Sequence, residues 1–175
     1  MRKIIAFFPL VFVCLFLTSF TGPEKDKINW LSVADLQTAY AKSPRPILID
    51  VYTHWCGWCK VMDKDTYSND KVADYINQNY YAVRFDAESR ETVNWLGRQF
   101  SYNPSYKVNE FSLFITNGQE SYPTTVLLAD INAQPAPLSG YLKPSELEGP
   151  LRFFGDGAYK KEDYPAFEKT FSAKW

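Results

Sequence analysis

The spacing of hydrophobic and polar residues changes along the chain between the period of a helix and the period of a strand. Apolar side chains recur at helical spacing over residues 32–42, and Ser32 with an acid three residues later is typical of a helix N-terminus. Residues 46–52 form a short, nearly continuous apolar run, as in a strand that is covered on both faces. Residues 81–86 alternate and predict the next strand.

The rest of the chain extends this alternation of helices and strands. Further helices are predicted at residues 60–67, 68–80 with Ser68 as the N-cap, 88–100 and 144–157. A pair of strands is predicted at residues 124–130 and 136–141, a loop at 101–110, an ambiguous segment at 111–118 and an amphipathic tail at 162–175. Early strands that are connected through helices should be parallel, and the late pair antiparallel. The predicted fold class is α/β, with three layers (α/β/α) around a mixed central sheet.

Length and composition allow a single domain with a large core. The chain has 175 residues, of which 46% are hydrophobic and 17% aromatic, and domains commonly span about 100–200 residues. The net charge is −1 and no basic block is present, which argues against nucleic acid as a main partner. We expect a monomer.

The N-terminus differs from the rest of the chain. Arg2 and Lys3 precede seventeen residues without a charge, residues 4–20, which is the layout of a secretory signal and predicts an exported, periplasmic protein. An uncleaved membrane anchor is the alternative, although the run is shorter than the about 20 residues of a membrane span and Pro9 interrupts it. The predicted divisions are a signal peptide (1–21), a linker (22–29) and one domain with a C-terminal tail (30–175).

Removal of the signal segment leaves two cysteines. Cys56 and Cys59 lie between a predicted strand and a predicted helix, separated by Gly57 and Trp58. A structural zinc site needs four ligands, and beyond the pair the mature chain offers only one histidine, His54. A structural disulfide is a further alternative. Because unpaired N–H groups at a helix N-terminus favour a thiolate, we predict a lowered pKa for Cys56 and redox exchange, with no metal and no bound cofactor.

Four features of the sequence carry a family resemblance. The WCGWC stretch at residues 55–59 follows a strand and begins a helix, and Asp50 lies six residues before the first cysteine. Pro123 precedes a predicted strand, and residues 137–147 combine a strand, a glycine and a helix start. On these features residues 30–155 resemble the thioredoxin superfamily. The chain is also similar to exported thioredoxin-like proteins related to the C-terminal domain of transmembrane thiol:disulfide interchange proteins.

The resemblance implies thiol:disulfide exchange on protein substrates. Cys56 would attack a substrate disulfide, and Cys59, one turn into the helix and more buried, would resolve the mixed disulfide. Asp50 would accept the proton of Cys59, because an acid inside an apolar strand is costly unless it is used; local capping or pairing is the alternative. Pro123 would be the cis-proline of the family, with the backbone of Tyr122 turned toward the sulfurs.

Residues around the pair are candidates for substrate contact and for tuning. We expect Trp55, Gly57 and Trp58 to contact the substrate, with Gly57 allowing its backbone to approach. Trp58 stands where thioredoxins usually carry proline, which shifts the redox potential in a direction that the sequence leaves open. His54 either stabilises the thiolate or is simply solvated. A membrane thiol reductase is the expected electron donor, and a redox-inert thioredoxin-fold binding module is the alternative function.

Between Asp86 and Pro123 the chain is longer than a bare thioredoxin fold requires, which predicts a helical or loop insertion before the cis-proline strand. One interpretation is that its aromatic residues pack a satellite helix onto the sheet. Another is that part of the segment forms a wall of the substrate groove beside Tyr122 and Trp58, which the deletion of residues 101–108 would test. The aromatic residues in question are Trp95, Phe100, Tyr102, Tyr106, Phe111 and Phe114.

Overall fold

A computed structural model describes residues 27–175, so the predicted signal peptide and the first part of the linker lie outside the described residues. The helices are α1 (Val33–Lys42), α2 (Gly57–Met62), α3 (Asp70–Asn79), α4 (Glu110–Ile115), α5 (Pro144–Gly155) and α6 (Tyr164–Thr170). The strands are β1 (Trp30–Leu31), β2 (Ile47–Tyr52), β3 (Tyr81–Asp86), β4 (Val93–Trp95), β5 (Arg98–Phe100), β6 (Tyr102–Asn103), β7 (Val108–Asn109), β8 (Thr124–Leu128) and β9 (Ala136–Ser139).

The centre of the fold is a mixed sheet of five strands in the order β1-β3-β2-β8-β9. Strands β1, β3 and β2 are parallel, whereas β8 is antiparallel to β2 and β9 is antiparallel to β8. Strands β4–β5 and β6–β7 form two separate small ladders. The predicted α/β class, with parallel early strands and an antiparallel late pair, is confirmed.

The central strand β2 has apolar residues on both faces and thereby divides the core in two. Ile49 and Val51 pack into one cluster, together with α1 and the segment that precedes β8. Leu48 packs into the other cluster, together with α3 and α5. Since side chains alternate along a strand, Asp50 shares the face of Leu48 and lies under α2 and α3.

Several predicted elements are confirmed close to their predicted limits. Helix α1 begins after Ser32, whose side chain accepts a hydrogen bond from the backbone N–H of Asp35. Helix α5 forms with Pro150 inside it. The ambiguous segment before β8 contains the short helix α4, and the amphipathic tail contains α6.

The predicted helix at residues 88–100 is wrong, because this segment forms the hairpin β4–β5. Trp95 and Phe100 are almost fully buried, and they reach the core from two paired strands. The strands are joined through Leu96 and Gly97, which both have positive φ (52° and 81°), as in the tight turns that favour hairpins. The apolar spacing of the segment fits a helix as well as two short strands, so periodicity alone selected the wrong element.

Three smaller differences concern boundaries. Helix α3 is capped by Asn69, not Ser68: the Asn69 side chain accepts hydrogen bonds from the N–H groups of the first turn. The predicted helix at residues 60–67 divides into the end of α2 and a π-helical turn, Asp63–Tyr67. The predicted loop at residues 101–110 contains the β6–β7 ladder, and the short strand β1 was not predicted.

The turn of the β4–β5 hairpin allows a test of this correction. Gly97→Ala is expected to lower the free energy of unfolding by about 1–2 kcal/mol, because an L-residue at φ +81° is strained although its Cβ would meet no atom within 4 Å. Gly57→Ala is the matched control, since its Cβ also meets nothing and its φ is not in the left-handed region. Equal stability of the two variants in urea denaturation would contradict the predicted difference.

Candidate active site

The two cysteines lie at the start of α2, directly after the loop that follows β2. They form a disulfide with a Cα–Cα distance of 5.3 Å. Cys56 is the N-cap of α2, and its Sγ accepts a hydrogen bond from the backbone N–H of Cys59 at 3.0 Å. The backbone N–H of Cys56 donates to the carbonyl of Thr53 at 3.2 Å, which ties the loop back to the end of β2. The same Cys59 N–H is placed to stabilise a thiolate on Cys56 after reduction.

The exposure of the pair differs from the expectation that Cys59 is the more buried cysteine. In the closed disulfide both residues are 4% exposed. The neighbouring tryptophan side chains are exposed to solvent instead: Trp55 is 67% exposed and Trp58 is 62% exposed. The disulfide is therefore almost fully buried, whereas the indole rings of the adjacent residues are exposed.

The peptide bond between Tyr122 and Pro123 is cis, as the resemblance implied. The Pro123 carbonyl accepts a hydrogen bond from the N–H of Gly140 at 2.7 Å, which joins the loop before β8 to the end of β9. The Tyr122 ring lies edge-on to Trp55, with centroids 6.1 Å apart. The proline loop and the cysteine loop thus meet on one side of the disulfide.

A second ring pair joins α2 to the segment that follows β9. Trp58 packs against Tyr141, with centroids 5.6 Å apart. The sequence did not single out Tyr141, because only the folded chain brings the end of β9 beside α2. We call Trp55, Tyr122, Trp58 and Tyr141 the aromatic rim of the disulfide.

The insertion contacts the aromatic rim because Tyr122 packs against the core cluster that contains Phe111 and Ile115 of α4. Glu88, just after β3, accepts a hydrogen bond from Trp55 Nε1 at 3.0 Å. Burial, together with nearby carboxylates of which Glu120 has the largest effect, raises the pKa of Tyr122 to about 12, so its hydroxyl stays protonated. The rim therefore contacts two parts of the insertion, Glu88 and α4.

Asp50 occupies the buried position that the sequence predicted for it. It is 2% exposed, and its β2 register places it opposite Arg84 of β3 and Thr125 of β8. The Asp50 Oδ2 atom lies 3.4 Å from Arg84 Nε, while Oδ1 has no hydrogen-bond partner among the described residues. Burial raises the pKa of Asp50 to about 7, against the opposing charge of Arg84 and with a smaller contribution from the carboxylate of Asp63.

Arg84 is a residue of the site that sequence reasoning missed. Its guanidinium binds the carboxylate of Asp63 and also faces Asp50. It lies over the ring of Tyr52, 4.8 Å from the centroid. In the sequence Arg84 is marked only as a charged residue inside a predicted strand. Its acidic partners cannot be identified without the register of β3 on β2.

His54 is 78% exposed at its side chain, and its Nε2 lies 3.3 Å from Oδ2 of Asp86. Its ring also contacts Tyr52 edge-on, with centroids 5.6 Å apart. These contacts favour the interpretation of His54 as a solvated residue over a role at the thiolate.

Within residues 27–175, no cluster of three or more histidine, cysteine, aspartate or glutamate side chains is arranged to hold a metal ion. In the same part of the chain, no helix is both long enough and apolar enough to span a membrane.

The thioredoxin-like fold, with its CxxC-spaced pair at the start of a helix and its cis-proline loop beside it, indicates a thiol–disulfide redox function. The chain belongs to the thioredoxin DsbH family: the model of this family (Thioredox_DsbH, described as "Protein of unknown function, DUF255") matches residues 20–154.

Two curated proteins and one solved structure illustrate the similarity. The chain is 28% identical over 123 residues to uncharacterized protein B0495.5 of Caenorhabditis elegans, covering 67% of this chain and 15% of that protein. It is 40% identical over 47 residues to thiol:disulfide interchange protein DsbD of Pectobacterium atrosepticum, covering 27% of this chain and 8% of that protein. The chain thus spans a small part of these curated relatives. A thioredoxin-fold protein from Helicobacter pylori is 20% identical with a TM-score of 0.54, covering 83% of this chain and 84% of that chain, and shares the fold.

Proposed function

We propose that this protein exchanges disulfides with exported protein substrates, with Cys56 as the attacking thiol and Cys59 as the resolving thiol. The observation that carries the proposal is the bond between these residues at the start of α2, with the Cys59 N–H donating to Cys56 Sγ. A disulfide at the N-terminus of a helix, next to exposed aromatic rings, is suited to exchange with the disulfide of another protein.

The proposed reaction begins with the reduced pair. The Cys56 thiolate attacks one sulfur of a substrate disulfide; the substrate S–S bond breaks, and the departing substrate sulfur takes a proton. Cys59 then loses its proton and attacks Cys56 Sγ, which closes the protein disulfide and releases the second substrate sulfur as a thiol. Two electrons pass from the protein dithiol to the substrate disulfide, and the reverse sequence oxidises a substrate dithiol.

Asp50 is the proposed acceptor of the Cys59 proton. Its carboxyl is buried on the face of the sheet that lies under α2, and its pKa of about 7 in the closed form makes it half ionised near neutral pH. A group whose pKa lies near the operating pH is suited to take up and return a proton in both directions of exchange.

The aromatic rim is the proposed docking surface for the substrate chain. Trp55 and Trp58 expose large rings next to the cysteines, and a Cβ at Gly57 would meet none of the non-adjacent atoms of residues 27–175 within 4 Å. Exposed tryptophans of this kind are frequent hot spots in protein interfaces. The backbone of Tyr122, before the cis-proline, is proposed to pair with the extended substrate segment.

The cellular setting is also a proposal. The charge-free segment after Arg2 and Lys3 supports export to the periplasm. The 47-residue similarity to a protein named thiol:disulfide interchange protein supports a membrane thiol reductase as the electron donor. We propose a monomer without a bound cofactor and without nucleic acid as a partner.

The reduction of insulin with dithiothreitol as the electron donor tests the proposed function. The protein should increase the rate of insulin precipitation in proportion to its concentration. The competing function is a binding module that keeps the fold without using the pair. A protein that leaves the rate at that of dithiothreitol alone, and whose reduced cysteines react no faster than free cysteine, supports the binding module.

The aromatic rim gives a further prediction. Trp55→Ala is expected to raise the KM for insulin about five- to tenfold, which corresponds to about 1–1.4 kcal/mol of binding, while exchange with a small disulfide such as oxidised dithiothreitol is unchanged. Equal losses for insulin and for the small disulfide would contradict a role in docking, because the small molecule has no polypeptide chain to dock on the rim.

Tyr106→Ala provides the comparison for this measurement. Tyr106 is 60% exposed and lies in the insertion, part of which the sequence predicts as a wall of the substrate groove. A similar rise in KM would extend the docking surface to the insertion, whereas an unchanged KM would confine docking to the rim.

A further inference from the structure

The guanidinium of Arg84 lies between two carboxylates, those of Asp50 and Asp63. One of its terminal nitrogens binds Oδ2 of Asp63. Its Nε faces Asp50 Oδ2 at 3.4 Å but has no hydrogen-bond partner among the described residues. The hydrogen bond of the arginine therefore goes to Asp63, and Asp50 is left with an ion pair that lacks hydrogen-bond geometry.

The contacts around Arg84 hold it in this divided position. The guanidinium lies 4.8 Å from the ring centroid of Tyr52 and 5.9 Å from that of Trp30. Asp63 comes from the π-helical turn that directly continues α2, four residues after Cys59. The segment that carries the resolving cysteine thus also carries Asp63, which competes with Asp50 for the guanidinium of Arg84.

We propose that Asp63 is a positioning residue for the exchange reaction: by binding Arg84 it withholds the guanidinium from Asp50, and so keeps Asp50 a strong enough base to take the proton of Cys59. The inference rests on the proposed function and deepens it. A carboxylate that is fully paired with arginine holds a proton weakly, whereas one whose arginine is neutralised by a second acid holds it more firmly.

The electrostatics around Asp50 agree with this geometry. Burial raises the pKa of Asp50, Arg84 lowers it and Asp63 raises it again. Burial also raises the pKa of Tyr67 well above its ordinary value and raises that of Tyr52, so both phenols stay neutral near pH 7. The ionisable groups around Asp50 are Arg84 of β3, Asp63 and Tyr67 of the π-helical turn, Tyr52 of β2 and, in the reduced protein, Cys59 of α2.

Titration of the Asp50 carboxyl carbon by ¹³C NMR tests the inference directly, in the oxidised and reduced protein. Asp63→Asn removes one acid and frees Arg84 for Asp50, and is expected to lower the Asp50 midpoint by about one pH unit. Asp65→Asn is the matched control, because Asp65 lies on the same turn and is exposed. In this variant the Asp50 midpoint should equal that of the wild type. An Asp50 midpoint that is unchanged in Asp63→Asn would overturn the proposal.

Arg84→Met gives the opposite expectation, because it removes the positive charge and keeps an apolar side chain against Tyr52. The Asp50 midpoint should rise by about one pH unit or more. A fall of the midpoint in this variant would also overturn the proposal. Should Arg84→Met fail to fold by circular dichroism, Asp63→Asn decides the question alone.

A kinetic measurement links the titration to the reaction. With Cys56 blocked as a mixed disulfide with glutathione, the release of glutathione reports attack by Cys59. The pH of half-maximal release should move down in Asp63→Asn by the same amount as the Asp50 midpoint, and a profile that stays at the wild-type pH would contradict the role in exchange. If the wild-type protein releases no glutathione, the proposed function fails, whereas normal release with unmoved midpoints refutes only the role of Asp63.

Discussion

Cys56→Ser is expected to bring the reduction of insulin down to the rate of dithiothreitol alone. A serine hydroxyl does not attack a disulfide, and Cys59 lies inside the first turn of α2 and not at the N-cap position that Cys56 occupies. The N–H group that stabilises charge on Cys56 belongs to Cys59 and points at the sulfur of Cys56. The loss should therefore be complete, and Cys59 should not take over the attack.

Cys59→Ser is expected to give a different defect. The first attack still occurs, but no second thiol is present to resolve it, so the protein should accumulate as a mixed disulfide with its substrate through Cys56. Non-reducing electrophoresis detects these adducts, and the variant lacking both cysteines is the control that should form none. Adducts that form equally well in Cys56→Ser would contradict the assigned order of the two thiols.

The rate of alkylation against pH separates this mechanism from the binding-module alternative. Reduced Cys56 should react with iodoacetamide with a midpoint below about 8.5, the ordinary value for a thiol. A midpoint at or above that value would mean that the N-cap position of Cys56 does not stabilise the thiolate.

The residues of the candidate site that the sequence singled out are those with local signals. Cys56 and Cys59 are marked by their spacing and by the strand that precedes them, and Asp50 is marked as an acid inside an apolar run. Pro123 was placed through the family resemblance, and the structure confirms the cis bond. Each of these features depends on a few neighbouring residues, so no knowledge of strand register was needed.

The parts that the sequence missed depend on contacts between distant segments. Arg84 binds Asp63 across 21 positions of the chain, and this pairing follows from the register of β3 on β2 and from the π-helical turn. Tyr141 reaches Trp58 only because β9 ends beside α2. The sequence predicts a helix in place of the β4–β5 hairpin because the apolar spacing of this segment fits both elements. Gly97, whose positive φ forms the turn, is the residue that favours the hairpin.

Asp50→Asn is expected to make the protein more stable at alkaline pH. The pKa of Asp50 is about 7 in the folded protein and 3.8 without the fold, so the folded state keeps a proton that the unfolded state releases. Stability from this group is complete below about pH 4 and is lost as the pH rises through 7. The asparagine variant lacks this loss and should gain about 4 kcal/mol relative to the wild type between pH 4 and pH 8, since each pKa unit corresponds to about 1.4 kcal/mol.

Urea denaturation with the disulfide intact, at pH 4, 6 and 8, measures this difference. The two unfolding free energies should diverge with increasing pH, and Asp65→Asn should follow the wild type because Asp65 is exposed. Parallel curves for Asp50→Asn and the wild type would mean that Asp50 is ionised in the fold at no cost. The same variant should slow the attack of Cys59 on a Cys56 mixed disulfide by at least about tenfold, because the amide accepts no proton. A protein that is more stable but slower is the result expected when a buried acid is retained for its chemistry.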